Sequence, residues 1–162
     1  MSGPGERLRA AMPRLARHEG RWLGRYRYVT PAGETIDAHD SELLCTIRDD
    51  AAFPYFQTNA SIWPDRPRLD MEYPASFDGQ AIHFDTPIIR GHFWEPAGDP
   101  TQSTILGQWI WTDPSFVPFA FRDMRMFEMI QLSACGRYRS RVWQWLDEGR
   151  LVLRTLIEEE RA

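Results

Sequence analysis

Lysine is absent from this 162-residue chain: all 19 basic side chains are arginine, set against 23 acidic ones for a net charge of −4. Schiff-base lysine chemistry and the lysine of a phosphate-binding Walker loop are therefore excluded. The net negative charge argues against bulk nucleic-acid binding, which needs many phosphate-neutralising cations. Cysteine is scarce too. Cys45 and Cys135 form no C-x-x-C pair or histidine-spaced metal pattern, and read as two buried free thiols. The four histidines make no metal set, so no metal and no cofactor are expected. No hydrophobic run approaches a membrane span, and the Arg-rich stretch from Met1 to Gly20 lacks the apolar core of a signal peptide, so a soluble cytoplasmic protein is expected. A Gly-rich strand-to-helix fingerprint, a Gly-x-Ser-x-Gly elbow and internal repeats are also missing.

Strand patterning fills most of what remains. From Glu6 to His18, Leu8, Ala11, Met12 and Leu15 recur at helical spacing among arginines, predicting one short amphipathic helix that covers an end of the following domain. After Gly20 the period drops to two: Trp22, Gly24, Tyr26 and Tyr28 alternate with Leu23, Arg25, Arg27 and Val29. Pro31-Ala-Gly33 turns the chain into a strand from Ile36 to Ile47. Further strands are predicted at Tyr55–Trp63, Arg68–Tyr73, Ala81–Asp85, Ile88–Glu95, Thr104–Thr112, Met126–Ser133, Arg137–Leu146 and Leu151–Glu159. Residues 1–20 are thus a helical lead and 21–162 one β domain. Eight to ten antiparallel strands curl or close to remove their edges, so an up-and-down barrel is expected, with a β-sandwich as the alternative.

Seven tryptophans make the interior the functional question. Trp109 and Trp111 share one strand face, Trp143 and Trp145 another, while Trp22, Trp63 and Trp94 lie on three more strands. Polar residues share these faces: Gln57 and Asn59 with Trp63, Arg90 and His92 with Trp94, and Arg137, Arg139 and Arg141 with Trp143. Aromatic walls with a few amides and guanidiniums suit an apolar ligand with a polar tip. Tyr26, Gln57, Asn59, Trp63, Trp94, Trp109, Trp111, Arg139, Arg141 and Trp143 are the candidate ligand-binding residues. A buried arginine requires a carboxylate, from ligand or protein. Glu128 is the in-protein candidate, with Glu158 and Glu160 behind it. The opposite parity, with the arginines forming a solvated outer stripe, stays open. The aromatic stretch Asp113 to Arg125, with Phe116, Phe119 and Phe121, reads either as a loop closing the barrel mouth or as one packed on its wall.

Several motifs read together: Gly20-Arg-Trp22-Leu-Gly24-x-Tyr26, Gln57-Thr-Asn59-x-x-x-Trp63-Pro-Asp, Gly91-x-x-Trp94-Glu95, Glu128, Arg137-x-Arg139-x-Arg141-x-Trp143-Gln-Trp145 and Arg154-Thr-x-Ile157-x-Glu159-x-Arg161. From Gly20 to the C-terminus this pattern resembles a lipocalin-like (calycin) domain of unknown function related to the phycobiliprotein lyases. The resemblance implies a calycin barrel holding a bulky, mostly apolar small molecule. In the lyases that molecule is a bilin, whose propionates arginines can pair with. Carried across, Arg139 and Arg141 would meet ligand carboxylates, and Glu128 would hold a ligand nitrogen or an arginine. The function expected is binding of an apolar or carboxylated ligand. The alternative is a cofactor-independent enzyme performing cyclisation, isomerisation or lyase/dehydratase chemistry, with His92 and Glu128 as its acid–base pair. A protein partner served by a lyase-like chaperone and a homodimer are further expectations.

Overall fold

The computed structural model describes residues 1–113, 115 and 120–162. Two helical segments, α1 (Pro4–Ala11) and α2 (Pro13–Ala16), precede ten strands. These are β1 (Gly20–Val29), β2 (Thr35–Ile47), β3 (Tyr55–Ile62), β4 (Leu69–Phe77), β5 (Ala81–Asp85), β6 (Ile89–Trp94), β7 (Thr104–Trp111), β8 (Met124–Leu132), β9 (Tyr138–Asp147) and β10 (Arg150–Arg161). Each strand pairs antiparallel with the next, and β10 pairs back onto β1, so the sheet closes into an up-and-down barrel. The barrel is the expected one; the sandwich is not formed. Closure gives every strand a neighbour on both sides, so no strand is an edge strand.

Two local departures from the sequence pattern have backbone causes. The single helix expected over Glu6–His18 is broken at Met12, which sits at φ −125°, ψ 69°. Pro13 follows, and a proline ring crowds its predecessor out of helical geometry. Strand β4 continues past Tyr73 through Pro74 to Phe77. It pairs with β3 over most of its length but with β5 only over Ala75–Phe77. Pro74, which has no N–H, therefore falls just outside the second ladder.

The helices close one end of the barrel. Leu8, Met12 and Leu15 are buried in the same cluster as Trp22, Leu43, Ile105 and Ile130. Polar contacts fasten the lid to that rim: Gly5 N–H donates to Asp49, Leu15 N–H to Glu95, and the Arg14 guanidinium to the carbonyls of Pro96 and Thr104. Arg161, at the end of β10, donates to the Arg17 and Glu19 carbonyls. The opposite end, where β1 hands over to β2 and β3 to β4, has no such cover among the described residues.

Cys45 is buried, but Cys135 is exposed in the β8–β9 turn, where Ser133 contacts its sulfur, so the pair of buried thiols is corrected to one. Among the described residues no helix is long and apolar enough to cross a membrane, and no three His, Cys, Asp or Glu side chains are grouped to hold a metal ion.

Candidate functional site

Parity is settled by burial along the strands. On β9, Arg139 and Arg141 are buried and Tyr138 and Ser140 exposed, so Trp143 and Trp145 point inward with the arginines. On β8 the even positions from Met124 to Leu132 face in, which places Glu128 inside at 2% exposure. On β10 the inward residues are Leu153, Thr155, Ile157 and Glu159; Glu158 and Glu160 point out. The second internal carboxylate is therefore Glu159 rather than either neighbour. A one-residue register difference reverses every side chain of a strand, and three consecutive glutamates give composition no means of choosing.

Four adjacent strands bring these charges together. Glu159 lies across from Arg139 on β9 and from Gly24 on β1, and Trp143 lies across from Glu128. Arg141 Nε donates to Glu128 Oε1 at 2.8 Å, and its Nη2 approaches the same oxygen at 2.7 Å. Arg141 Nη1 donates to the Tyr26 hydroxyl at 3.1 Å and to Glu159 Oε1 at 3.5 Å. The other Glu128 oxygen accepts from Trp109 Nε1 at 2.9 Å. Arg139 Nε donates to Glu159 Oε2, while its guanidinium lies over the Trp22 ring at 4.4 Å. Gly24 makes the Glu159 position possible, because a Cβ there would come within 2.5 Å of Glu159 Cγ and 2.7 Å of the Glu158 carbonyl oxygen.

The electrostatics follow from these contacts. Burial alone would favour protonated Glu159, but Arg139 and Arg141 outweigh it and hold the carboxyl below its ordinary value. Burial likewise opposes charge on both arginines, and the facing carboxylates more than offset it. His18, buried beside Arg139, is held well below the usual imidazole value by burial and by the arginine charges. Burial pushes the Tyr26 phenol up to about 12. Two guanidiniums thus face two carboxylates in the barrel interior.

Above this charged floor, toward the open end, is a cavity of about 340 Å³. That is near the lower end of the range for small-molecule sites. Its aromatic wall is Trp109, Trp111, Trp143 and Trp145, with Trp111 stacked on Trp145 at 5.4 Å between centroids and 14° between planes. Met71, Tyr73, Met126 and Leu153 add apolar surface. Gln57, Asn59 and Ser61, all from β3, give one wall a row of polar tips. At the mouth, Trp63 Nε1 donates to Asp37 at 3.2 Å, and Arg66 pairs with Asp37 while lying 5.0 Å from the centroid of the Trp63 ring.

His39, which the sequence pattern did not single out, belongs to this region. Its Nδ1–H donates to the Asp40 carbonyl at 2.9 Å, so Nε2 accepts from the Tyr28 hydroxyl at 3.1 Å. Its ring stacks on Tyr26 at 4.6 Å, and burial lowers its imidazole value. Alternation from His39 through Ser41, Leu43 and Cys45 was the available signal, masked by the acidic residues around it.

Tyr26, Gln57, Asn59, Trp63, Trp109, Trp111, Glu128, Arg141 and Trp143 all line the cavity. Arg139 faces inward but lies below the floor, among Glu159, His18 and Cys45. His92 and Trp94 do not reach the cavity: on β6 the buried residues are Ile89 and Phe93, which turns Arg90, His92 and Trp94 outward. His92 stacks there on Trp94 and on His83. The barrel wall separates it from Glu128, so the expected acid–base pair is not assembled. The apolar residues of β6 claim the interior, and the polar parity goes to solvent. Of the aromatic loop, Pro114 and residues 116–119 lie outside the described residues. Phe121 packs on the core and Met124 begins β8.

A closed ten-stranded antiparallel barrel, capped by helix at one end and hollow at the other, is a lipocalin-like fold. No family model matches the chain, and no curated protein matches its sequence. Solved structures match its fold. The S-type phycobiliprotein lyase CPES from Guillardia theta is 15% identical with a TM-score of 0.61, over 91% of this chain and 90% of that one. Rv2717c from M. tuberculosis is 14% identical with a TM-score of 0.60, over 100% and 99% of the two chains. A protein of unknown function from the DUF3598 family of Nostoc punctiforme is 17% identical with a TM-score of 0.57. That match covers 91% of this chain and 49% of the other, so the chain spans about half the length of that relative. Identities this low establish a shared fold and nothing narrower.

Proposed function

We propose that the barrel binds one small, largely apolar aromatic molecule in the cavity above the Glu128–Arg141 pair. The observation that carries this reading is the hollow itself: about 340 Å³ remain between four indole rings and the amide row of β3. A flat ring system gains buried area and ring contacts from the stacked indoles. The phycobiliprotein lyase among the matching folds supports a barrel of this kind serving a small molecule. Cyclisation, isomerisation or lyase chemistry would need an acid–base pair within the cavity, and His92 with Glu128 does not supply one.

Intrinsic tryptophan fluorescence tests the reading. Titration with naphthalene-sized aromatics is expected to give saturable quenching, because five indoles border the site. Ser61 is a buried cavity residue, so Ser61→Phe places a ring in the ligand's space. This variant should lose binding while keeping its thermal transition above room temperature. Quenching that persists unchanged in folded Ser61→Phe would place the ligand elsewhere.

A further inference from the structure

We infer that the ligand of this cavity is uncharged and presents hydrogen-bond acceptors, a neutral aromatic ketone, lactam or quinone rather than a carboxylate. The inference rests on the proposed ligand-binding reading and narrows its chemistry.

Charge is the first ground. The ionised side chains on the cavity wall are Asp37, Arg66, Glu128 and Arg141, two of each sign, and each cation is paired with an anion of the same set. Beneath them Arg139 and Glu159 cancel in the same way. The Arg141 guanidinium has directed its Nε, Nη1 and Nη2 groups to Glu128, Tyr26 and Glu159, with side-chain exposure of only 4%. A carboxylate entering the cavity would meet no unpaired cation. It would either stay uncompensated in a dry, aromatic site or displace Glu128 and leave that charge uncompensated instead. The arginines suited to a ligand's propionates are already ion-paired within the protein, Arg139 with Glu159 and Arg141 with Glu128.

Hydrogen bonding is the second ground. The indole N–H groups of Trp111 and Trp143, both on cavity-lining residues, are buried and have no hydrogen-bond partner among the described residues. An indole N–H is a donor only, so the complement each lacks is an acceptor. On the facing β3 wall the Asn59 carboxamide, 6% exposed, has one atom without a partner among the described residues, Oδ1; as an acceptor it lacks a donor, which the N–H of a lactam would supply. Natural interiors leave few such groups unsatisfied, and here three border the same hollow.

Three probes of matched shape separate these requirements in the intact protein: 2-acetylnaphthalene, 2-naphthoate and 2-ethylnaphthalene, titrated by tryptophan fluorescence at pH 7.5. The ketone should bind about 100-fold or more tighter than the carboxylate. It should also bind roughly 3- to 10-fold tighter than the ethyl compound, the worth of one net hydrogen bond. Trp111→Phe or Trp143→Phe should erase that second advantage, bringing the ratio of ketone to ethyl-compound affinity toward one in each variant. Naphthoate binding as tightly as the ketone overturns the uncharged-ligand inference and leaves the binding site standing. Equal affinities for ketone and ethyl compound, or an advantage that survives both tryptophan variants, overturn the acceptor assignment alone. Failure of all three probes to bind overturns the ligand-binding reading and this inference with it.

Discussion

Replacing Glu159 with glutamine removes one carboxylate charge from a buried site. The Arg139 and Glu159 side chains are 3% and 0% exposed. Arg139 would keep its cation and lose the one carboxylate it pairs with among the described residues, while Arg141 would retain Glu128 and lose a 3.5 Å contact. Breaking a buried pair from one side costs about 3–5 kcal/mol, out of about 5–15 kcal/mol for a whole domain. For a chain of this size that corresponds to a fall in Tm on the order of 10 °C. The adjacent change, Glu160→Gln, touches an outward residue paired with exposed Arg137 and should leave the transition where it was. Urea denaturation of the three proteins, followed by fluorescence, measures the difference. A second comparison separates charge from packing: Arg139→Met with Glu159→Leu removes both ions together and should recover most of the loss. The pH dependence carries the same signature. Glu159 has a folded-state value below its ordinary 4.5, so its contribution is complete above that value and is lost as pH falls through the folded one. Glu159→Gln should therefore flatten the acid limb of the stability curve. Equal losses for Glu159→Gln and Glu160→Gln would refute the inward parity on which the site depends.

Gly24→Ala drives a methyl group to within 2.5 Å of Glu159 Cγ and toward the β10 backbone. It should destabilise by about 1–3 kcal/mol, read as a shifted urea midpoint at constant slope. His18 and His39 are buried with lowered imidazole values, so the unfolded chain takes up protons that the folded one refuses. Stability should be complete above about pH 6.5 and decline below it, by at most about 1.4 kcal/mol per pH unit for each full proton. Calorimetry of wild type and His18→Gln between pH 5 and 8 checks that slope, which the variant should reduce. His92→Ala should leave aromatic-ligand affinity unchanged, because the barrel wall stands between it and the cavity; a ten-fold loss would place the site on the outer face. Arg66→Ala removes the guanidinium lying over Trp63 and pairing with Asp37 at the mouth. Stopped-flow fluorescence should show faster ligand entry and exit with little change in Tm.

Much of the architecture was legible in one dimension. Alternation of period two, cut by turns such as Asp147-Glu148-Gly149, marks eight to ten strands, and the observed ten begin or end within a few residues of the marked segments. Closure was a sound expectation because so long a series of antiparallel strands cannot leave its edges bare. Most of the cavity wall was also visible, since pairs such as Trp109 with Trp111 and Trp143 with Trp145 declare that their strands have an aromatic face. His92 and Trp94 misled for a related reason. Their face of β6 holds an aromatic and a polar residue like the others, but Ile89 and Phe93 on the opposite face are the better core residues.

What the chain of residues determined by itself is therefore the set of faces: strict alternation commits every residue to one side or the other of its strand. Which side is interior was a tertiary decision. On β9 one face carries arginines and tryptophans and the other Tyr138, Val142 and Leu146, so hydrophobicity alone does not choose. The choice came from closing β10 onto β1, which sets Glu159 against Gly24 and beside Arg139, and from β8, which carries Glu128 to Arg141. Only with both carboxylates in place do two buried guanidiniums become tolerable, because burying a charge requires its partner in the same low-dielectric space.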